Sequence, residues 1–356
     1  MSGPFPAPVL GGYPIEPPGS WPTDAWERRD PPNGVDLDEI MALAFDADGP
    51  LQTTYAAIVV HRGAIVAERY GGELPSFVGS GTTVTATTPL LSWSMAKTML
   101  AIMVGTLVDE GRLDLDEHAA VPEWRDATDG RSEITLRHLL AMRDGLDFTE
   151  EYVVDAPSDV VAMLFGAGAA DMAHFAADRP LAATPGSRFN YSSGTTNIIS
   201  RLVGDLFGGE AGMRAALDER LFGPLSMTTA VPTFDPAGTF IASSYVHATA
   251  EDFARFGLML CRGGFAHGRQ IVSADWIDQL RIPLSFDEED QRLYSLQTWV
   301  GGDHLGTFWC NGYEGQRIVA CPPLDLVVVR LGRTVDDDTG AVDSWWQQIV
   351  DAFDAV

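Results

Sequence analysis

Ser94-Met95-Ala96-Lys97 contains the only lysine of the 356-residue chain; the other 22 of its 23 basic residues are arginine. A coding preference for Arg, Ala, Gly and Asp accounts for scarce lysine in general, but not for where the one lysine stands. With 19 serines in the sequence, chance puts a lone lysine three residues after one of them about once in 19 at ordinary frequencies. Residues i and i+3 share a helix face, so hydroxyl and amine can meet there. A buried amine can lose its proton and act as a base, whereas a guanidinium cannot.

The flanking residues predict a buried helix. From Ser94 to Val108 the only polar side chains are Ser94, Lys97, Thr98 and Thr106, and Gly111 offers a left-handed stop. A helix that is apolar all round is an interior one. Lys97 in its first turn then lies near the positive end of the helix dipole, which disfavours the ammonium form. The competing reading is a lysine snorkelling from a surface helix.

Composition narrows the function. A 46 % hydrophobic chain of this length supports one large domain or two intertwined ones. A formal charge of −27 excludes non-specific nucleic-acid binding and attraction to anionic membranes. No run of 18 or more apolar residues is present to span a bilayer. The first residues, Met-Ser-Gly-Pro-Phe-Pro-Ala-Pro, lack the pattern of a secretion signal, so a cytoplasmic protein is expected. Cys261, Cys310 and Cys321 show no metal-ligand spacing and are expected to be reduced, although Cys310 and Cys321 could pair. The seven histidines are scattered, with no two at metal spacing, and neither a metal nor a cofactor is expected.

Along the chain, residues 1–35 read as an irregular arm, followed by a helix over Val35–Phe45 with Asp36 or Asp38 at its start. Tyr55–Val60 and Ala64–Tyr70 predict a hairpin turning at Gly63. Helical spacing follows at Ile134–Met142, Asp159–Phe165, Asp171–Ala177, Thr195–Phe207, Gly212–Leu221 and Glu251–Leu260, with a capped start at Ser273. Strands return at Tyr294–Trp299, Thr307–Cys310, Gln316–Ala320 and Leu326–Leu331, and a helix closes the chain over Asp343–Phe353. Strands, then helices, then strands imply an α/β fold whose sheet uses both chain ends. The expected division is an arm and helix at 1–50, a sheet domain at 51–115 plus 290–356, and a helical insertion at 116–289. Asp336-Asp337-Asp338 reads as a solvated loop.

A serine–lysine pair needs a proton relay and an oxyanion hole. Tyr191, in the polar loop Phe189-Asn190-Tyr191-Ser192-Ser193-Gly194, is the relay candidate, with a packing tyrosine at a helix entry as the plainer alternative. No serine sits in a G-x-S-x-G elbow, and no P-loop or Rossmann glycine signature occurs.

Ser94-x-x-Lys97, Tyr191-Ser192-Ser193 and the glycine-rich entry Gly312-Tyr313-Glu314-Gly315-Gln316 resemble the three motifs of the penicillin-recognising serine hydrolases. The pattern is similar to that of their class C β-lactamase-related group, which includes esterases and 6-aminohexanoate-dimer (nylon-oligomer) hydrolases. Further stretches carry the likeness from about residue 50 to 345, among them Leu139-Leu140-Ala141-Met142-Arg143-Asp144-Gly145 and Leu221-Phe222-Gly223-Pro224-Leu225. The resemblance implies a β-lactamase-like antiparallel sheet flanked by helices, with Ser94 as nucleophile, Lys97 as its base and Tyr191 as relay. It also implies an oxyanion hole from the Ser94 N–H and an N–H within Asn311, Gly312 and Tyr313. Tyr152 occupies the place of a second tyrosine over the site, unless it is merely packed on the loop running through Asp155-Ala156-Pro157. The lactamase Lys-Thr-Gly is absent, since Asn311-Gly312-Tyr313 has no cation. The expectation is therefore a metal-free hydrolase of a small ester or amide, working through an acyl-enzyme, with room for a homodimer. A β-lactamase or D-alanyl peptidase is the alternative among enzymes, and a catalytically silent ligand-binding member of the fold is the alternative outside them.

Overall fold

In the computed structural model, which describes residues 5–14, 21–75, 81–152, 158–335 and 340–356, the hairpin strands are β1 (Thr53–His61) and β2 (Ala64–Tyr70). Arg62 and Gly63 between them both have positive φ, 50° and 77°, as a tight primed turn requires. The remaining strands of the sheet come from the far end of the chain: β3 (Ser285–Asp287), β4 (Arg292–Tyr294), β5 (Trp299–Val300), β6 (Phe308–Gly312), β7 (Gln316–Cys321) and β8 (Leu326–Arg333). All pair antiparallel in the order β2-β1-β8-β7-β6-β5-β4-β3, so the two chain ends meet where β1 pairs with β8.

Period-two alternation divides β1 between two cores. Ala56, Ile58 and Val60 join Val327, Val329 and Leu331 of β8 on one face, while Ala57 and Val59 join Leu326 and Val328 on the other. Helices cover both faces, which is why these strands read as continuous apolar runs. The first core holds α2 (Ala96–Asp109) and α8 (Ala250–Cys261); the second holds α1 (Asp38–Ala44) and α10 (Ala341–Asp354). Every residue of α2 from Ala96 to Leu107 is buried, as its composition predicts.

Between the strand groups lie α3 (Leu136–Leu140), α4 (Asp159–Phe165), α5 (Met172–Ala177), α6 (Ser193–Leu206), α7 (Glu210–Leu217) and, after α8, α9 (Ala274–Gln279). Sequence caps hold several of them: the Thr135 hydroxyl accepts from His138 N in a capping box, and the Ser273 hydroxyl accepts from Trp276 N. The start of α1 differs, because its N-cap is Leu37; Asp36 instead accepts the Asp38 N–H at 3.0 Å. Strand β3 enters the sheet from within residues 116–289, and α8 packs on the sheet from the same segment.

The one strand expected over Tyr294–Trp299 is two strands and a reversal. Gln297 at the tip has φ 61°, its N–H donates to Leu140 O at 3.0 Å, and its side-chain oxygen accepts from Thr196 Oγ1 at 2.7 Å. A buried amide satisfied by α3 and α6 replaces the ladder there, and no periodicity announces that. Cys261, Cys310 and Cys321 are buried free thiols; Cys310 faces Ile318 and Cys321 faces Leu326 across the sheet, so they do not pair. Asp336–Asp338 and Asp155–Pro157 lie outside the described residues. No helix of the described residues is long and apolar enough to cross a membrane.

Candidate active site

Ser94 sits in a 3-10 turn, Trp93–Met95, that runs directly into α2. Trp93 holds φ at 45°, a left-handed conformation costing of order 1–3 kcal/mol for a residue with a side chain. Its neighbours hold the turn in place. Leu90–Leu91 pairs with Val246–Ala248, Ser92 N donates to Val246 O at 2.8 Å, and the Ser92 hydroxyl donates to Ser244 O at 3.1 Å. The end of β6 closes on the same turn. A Cβ on Gly312 would lie 2.6 Å from Ser92 O, so only glycine allows the approach.

Lys97 is 1 % exposed, and its Nζ lies 3.0 Å from each of three acceptors: Ser94 Oγ, Ser193 Oγ and Ser243 O. Burial lowers its pKa from 10.5 to about 8, opposed by the Glu150 charge. Of the three partners only Ser94 has a proton to give. Ser243 offers a carbonyl, and the Ser193 hydroxyl donates instead to Glu150 Oε1 at 2.5 Å. A neutral amine therefore keeps N–H bonds to Ser193 and Ser243 and turns its lone pair to Ser94.

Tyr191, just before α6, centres its ring 4.8 Å from Lys97 Nζ, and its hydroxyl is influenced by the Ser94 side chain. Burial, then the Glu150 charge, push its pKa up, so the phenol stays protonated and can only pass a proton on. The loop after α3 is tied to α6 by Asp144, which accepts from Thr195 Oγ1 at 2.7 Å. That tie delivers Glu150, whose Oε2 accepts Ser193 N–H at 2.8 Å, and Tyr152, whose hydroxyl donates to Glu150 Oε1 at 3.4 Å. Desolvation raises the Glu150 pKa, and the Lys97 charge opposes it.

Tyr152 stacks on Tyr313 with ring centres 4.5 Å apart, and Tyr313 meets Trp93 edge-on at 5.3 Å, an aromatic wall beside the nucleophile. Asn311, Tyr191, Glu150 and Trp299 line a neighbouring cavity of about 1370 Å³. The expected site residues are thus brought together: Ser94, Lys97 and Tyr191 in direct contact, with Tyr152, Asn311, Gly312 and Tyr313 around them.

Residues 51–351 match the sequence profile of the Beta-lactamase family. The chain belongs to the beta-lactamase family. Among curated proteins this hydrolase is 29 % identical over 349 residues to a 6-aminohexanoate-dimer hydrolase of Paenarthrobacter ureafaciens, covering 89 % of this chain and 84 % of that protein. Two solved structures share the fold. One, from Bacillus anthracis and assigned as a 6-aminohexanoate-dimer hydrolase, has a TM-score of 0.76 and 20 % identity over 96 % of this chain and 91 % of its own. The other, a family VIII carboxylesterase, has a TM-score of 0.67 and 16 % identity over 89 % and 98 %.

Three groups at this beta-lactamase-family site escape a reading of the sequence. Glu150 stands in an acidic surface-like run, Thr149-Glu150-Glu151, with nothing to mark one of its carboxylates as inward. Ser193 was legible only as the third residue of the tyrosine motif. Arg317 stands on the next strand, directly across from Asn311, where no motif spacing announces it.

Proposed function

We propose that this protein hydrolyses a small ester or amide through an acyl-enzyme on Ser94. The observation that carries the reading is the donor balance at Lys97, where Ser94 is the one neighbour able to hand the amine a proton. Neutral Lys97 takes the Ser94 proton as Oγ bonds to the substrate carbonyl carbon. The oxyanion is held by the Ser94 N–H and the backbone N–H of Tyr313, a pairing supported by the approach of Gly312 to the nucleophile turn. The proton leaves Lys97 and reaches the departing oxygen or nitrogen through the Tyr191 hydroxyl as the carbon–leaving-group bond breaks. Water then attacks the acyl-Ser94 carbonyl, gives its proton back along the same path, and releases the acid with Ser94 restored. The relatives' names support an ester or amide, with no carboxylate-binding lysine in the third motif to favour a β-lactam.

A fluorophosphonate probe tests this on the whole protein. It should label wild type and not Ser94→Ala, and Lys97→Arg should fold yet lose most labelling and most turnover of a reactive ester. Equal labelling of Ser94→Ala would put the nucleophile elsewhere, near-wild-type turnover by Lys97→Arg would remove Lys97 as the base, and a wild-type Ser94 that takes no label would favour a ligand-binding protein.

A further inference from the structure

Asn311 on β6 and Arg317 on β7 are cross-strand partners. The Arg317 guanidinium, 4 % exposed, donates through Nη1 to the Asn311 side-chain oxygen and through Nε to Asp343 Oδ1 at 2.8 Å. Asp343, in the first turn of α10, also accepts from Trp346 Nε1 at 2.9 Å and from Arg292 Nη2 at 2.6 Å. Arg317 is thus fixed from behind and its charge is matched by a carboxylate. A guanidinium has donors and no acceptor, so only the amide oxygen of Asn311 can face it. The Asn311 NH₂ group is left pointing away from Arg317, on a side chain that lines the cavity with Tyr191 and Glu150.

We propose that Arg317 is a positioning residue: it holds Asn311 so that the amide N–H group serves as a donor to a neutral acceptor, such as a carboxamide oxygen, on the acyl portion of the substrate. The inference rests on the hydrolase reading and names the substrate class for it. The acyl portion is the relevant one because β6 ends against the nucleophile turn, where the acyl carbonyl must sit. A carboxylate beside Asn311 finds Arg317 already matched by Asp343 and shares the cavity with Glu150. An alkyl group there leaves the Asn311 donor dehydrated without a partner, which is unfavourable. A neutral acceptor avoids both.

The test uses p-nitrophenyl esters whose acyl chains end in a carboxamide, at three spacer lengths, each paired with the isosteric isopropyl-ended ester. Wild type should prefer the carboxamide by about tenfold or more in KM at one spacer length, the scale of a single unpaired polar group. Arg317→Met should bring that ratio toward one, chiefly by raising KM for the carboxamide while its kcat holds, and Arg317→Lys should recover part of it. In an Asn311→Ala background, adding Arg317→Met should change the ratio no further, because both act through one contact. Asn311→Asp keeps the pairing with Arg317 but removes the NH₂, so it should fold and lose the preference. The same esters titrated calorimetrically into Ser94→Ala protein give the ratio without turnover, so a failure of the hydrolase reading shows separately. A preference absent from wild type, retained by Asn311→Asp, or unchanged by Arg317→Met overturns the proposal.

Discussion

At Lys97 the direction of the pKa shift gives a pH dependence with a definite sign. Burial lowers the ammonium from 10.5 to about 8, so the neutral base is scarce in acid and becomes dominant as pH rises through 8. The kcat/KM of a neutral ester should climb about tenfold per unit below that pH and level off above it. Glu150 raises the Lys97 pKa by its charge. Glu150→Gln should therefore move the rising limb to lower pH, and the plateau should fall because a single amide oxygen cannot accept from both the Ser193 N–H and the Ser193 hydroxyl. A limb that stays in place would mean that Glu150 carries no charge while Lys97 titrates. Tyr152 has a separate role to test. Its hydroxyl touches the Glu150–Ser193 pair, and amides, unlike esters, need the departing nitrogen protonated. Tyr152→Phe should lower amide hydrolysis by about 10² and ester hydrolysis far less, the range of a lost general acid. Equal losses on a matched ester and amide would take Tyr152 out of the mechanism.

Elements position these residues, and β6 shows how closely. Gly312→Ala would place a methyl 2.6 Å from Ser92 O, against backbone that Ser92 ties to Val246 and Ser244. The strand must then retreat from the nucleophile turn. The expected cost is about 1–3 kcal/mol of stability, as for other overpacked sites, seen as a lowered Tm. Catalysis should suffer more, by about 10² in kcat, because a shift of an ångström disrupts the reacting geometry. A variant with lowered Tm but kcat within twofold of wild type would show that β6 does not shape the oxyanion site. At this scale the sequence was informative wherever one element explains itself. The apolar run of α2 and the Gly63 turn of the hairpin both follow from composition and spacing. The hairpin around Gln297 was hidden because Tyr294-Ser295-Leu296-Gln297-Thr298-Trp299 alternates like a strand, and only contacts from α3 and α6 fold it back. Lys97 and Ser94 were readable because four residues on one helical turn carry both. Glu150 with Ser193, and Arg317 with Asn311, depend on segments meeting in space, which periodicity cannot report.

For the whole molecule, a charge of −27 meets a cavity beside the active site whose border is also acidic. Asp147, Glu151 and the run Asp287-Glu288-Glu289-Asp290 line it, with Arg143 and Arg188 as the opposing cations. Buried charges at the centre are compensated, Lys97 by Glu150 and Arg317 by Asp343, so the field a substrate meets on approach comes from this border and from the protein's net charge. Such fields alter encounter rates tenfold or more at low ionic strength and fade once the screening length falls to about 10 Å, near 0.1 M salt. Three p-nitrophenyl esters of matched chain length, ending in a quaternary ammonium, a methyl and a carboxylate, separate the field from the chemistry. Raising salt from about 10 to 300 mM should lower kcat/KM severalfold for the cationic ester, raise it for the anionic one and leave the neutral one nearly constant. Because the charge acts on encounter, the changes should lie in kcat/KM, with kcat steady. Parallel responses from the cationic and anionic esters would show that Arg143 and Arg188 balance the border locally, and that the net charge keeps the protein dispersed without sorting its substrates.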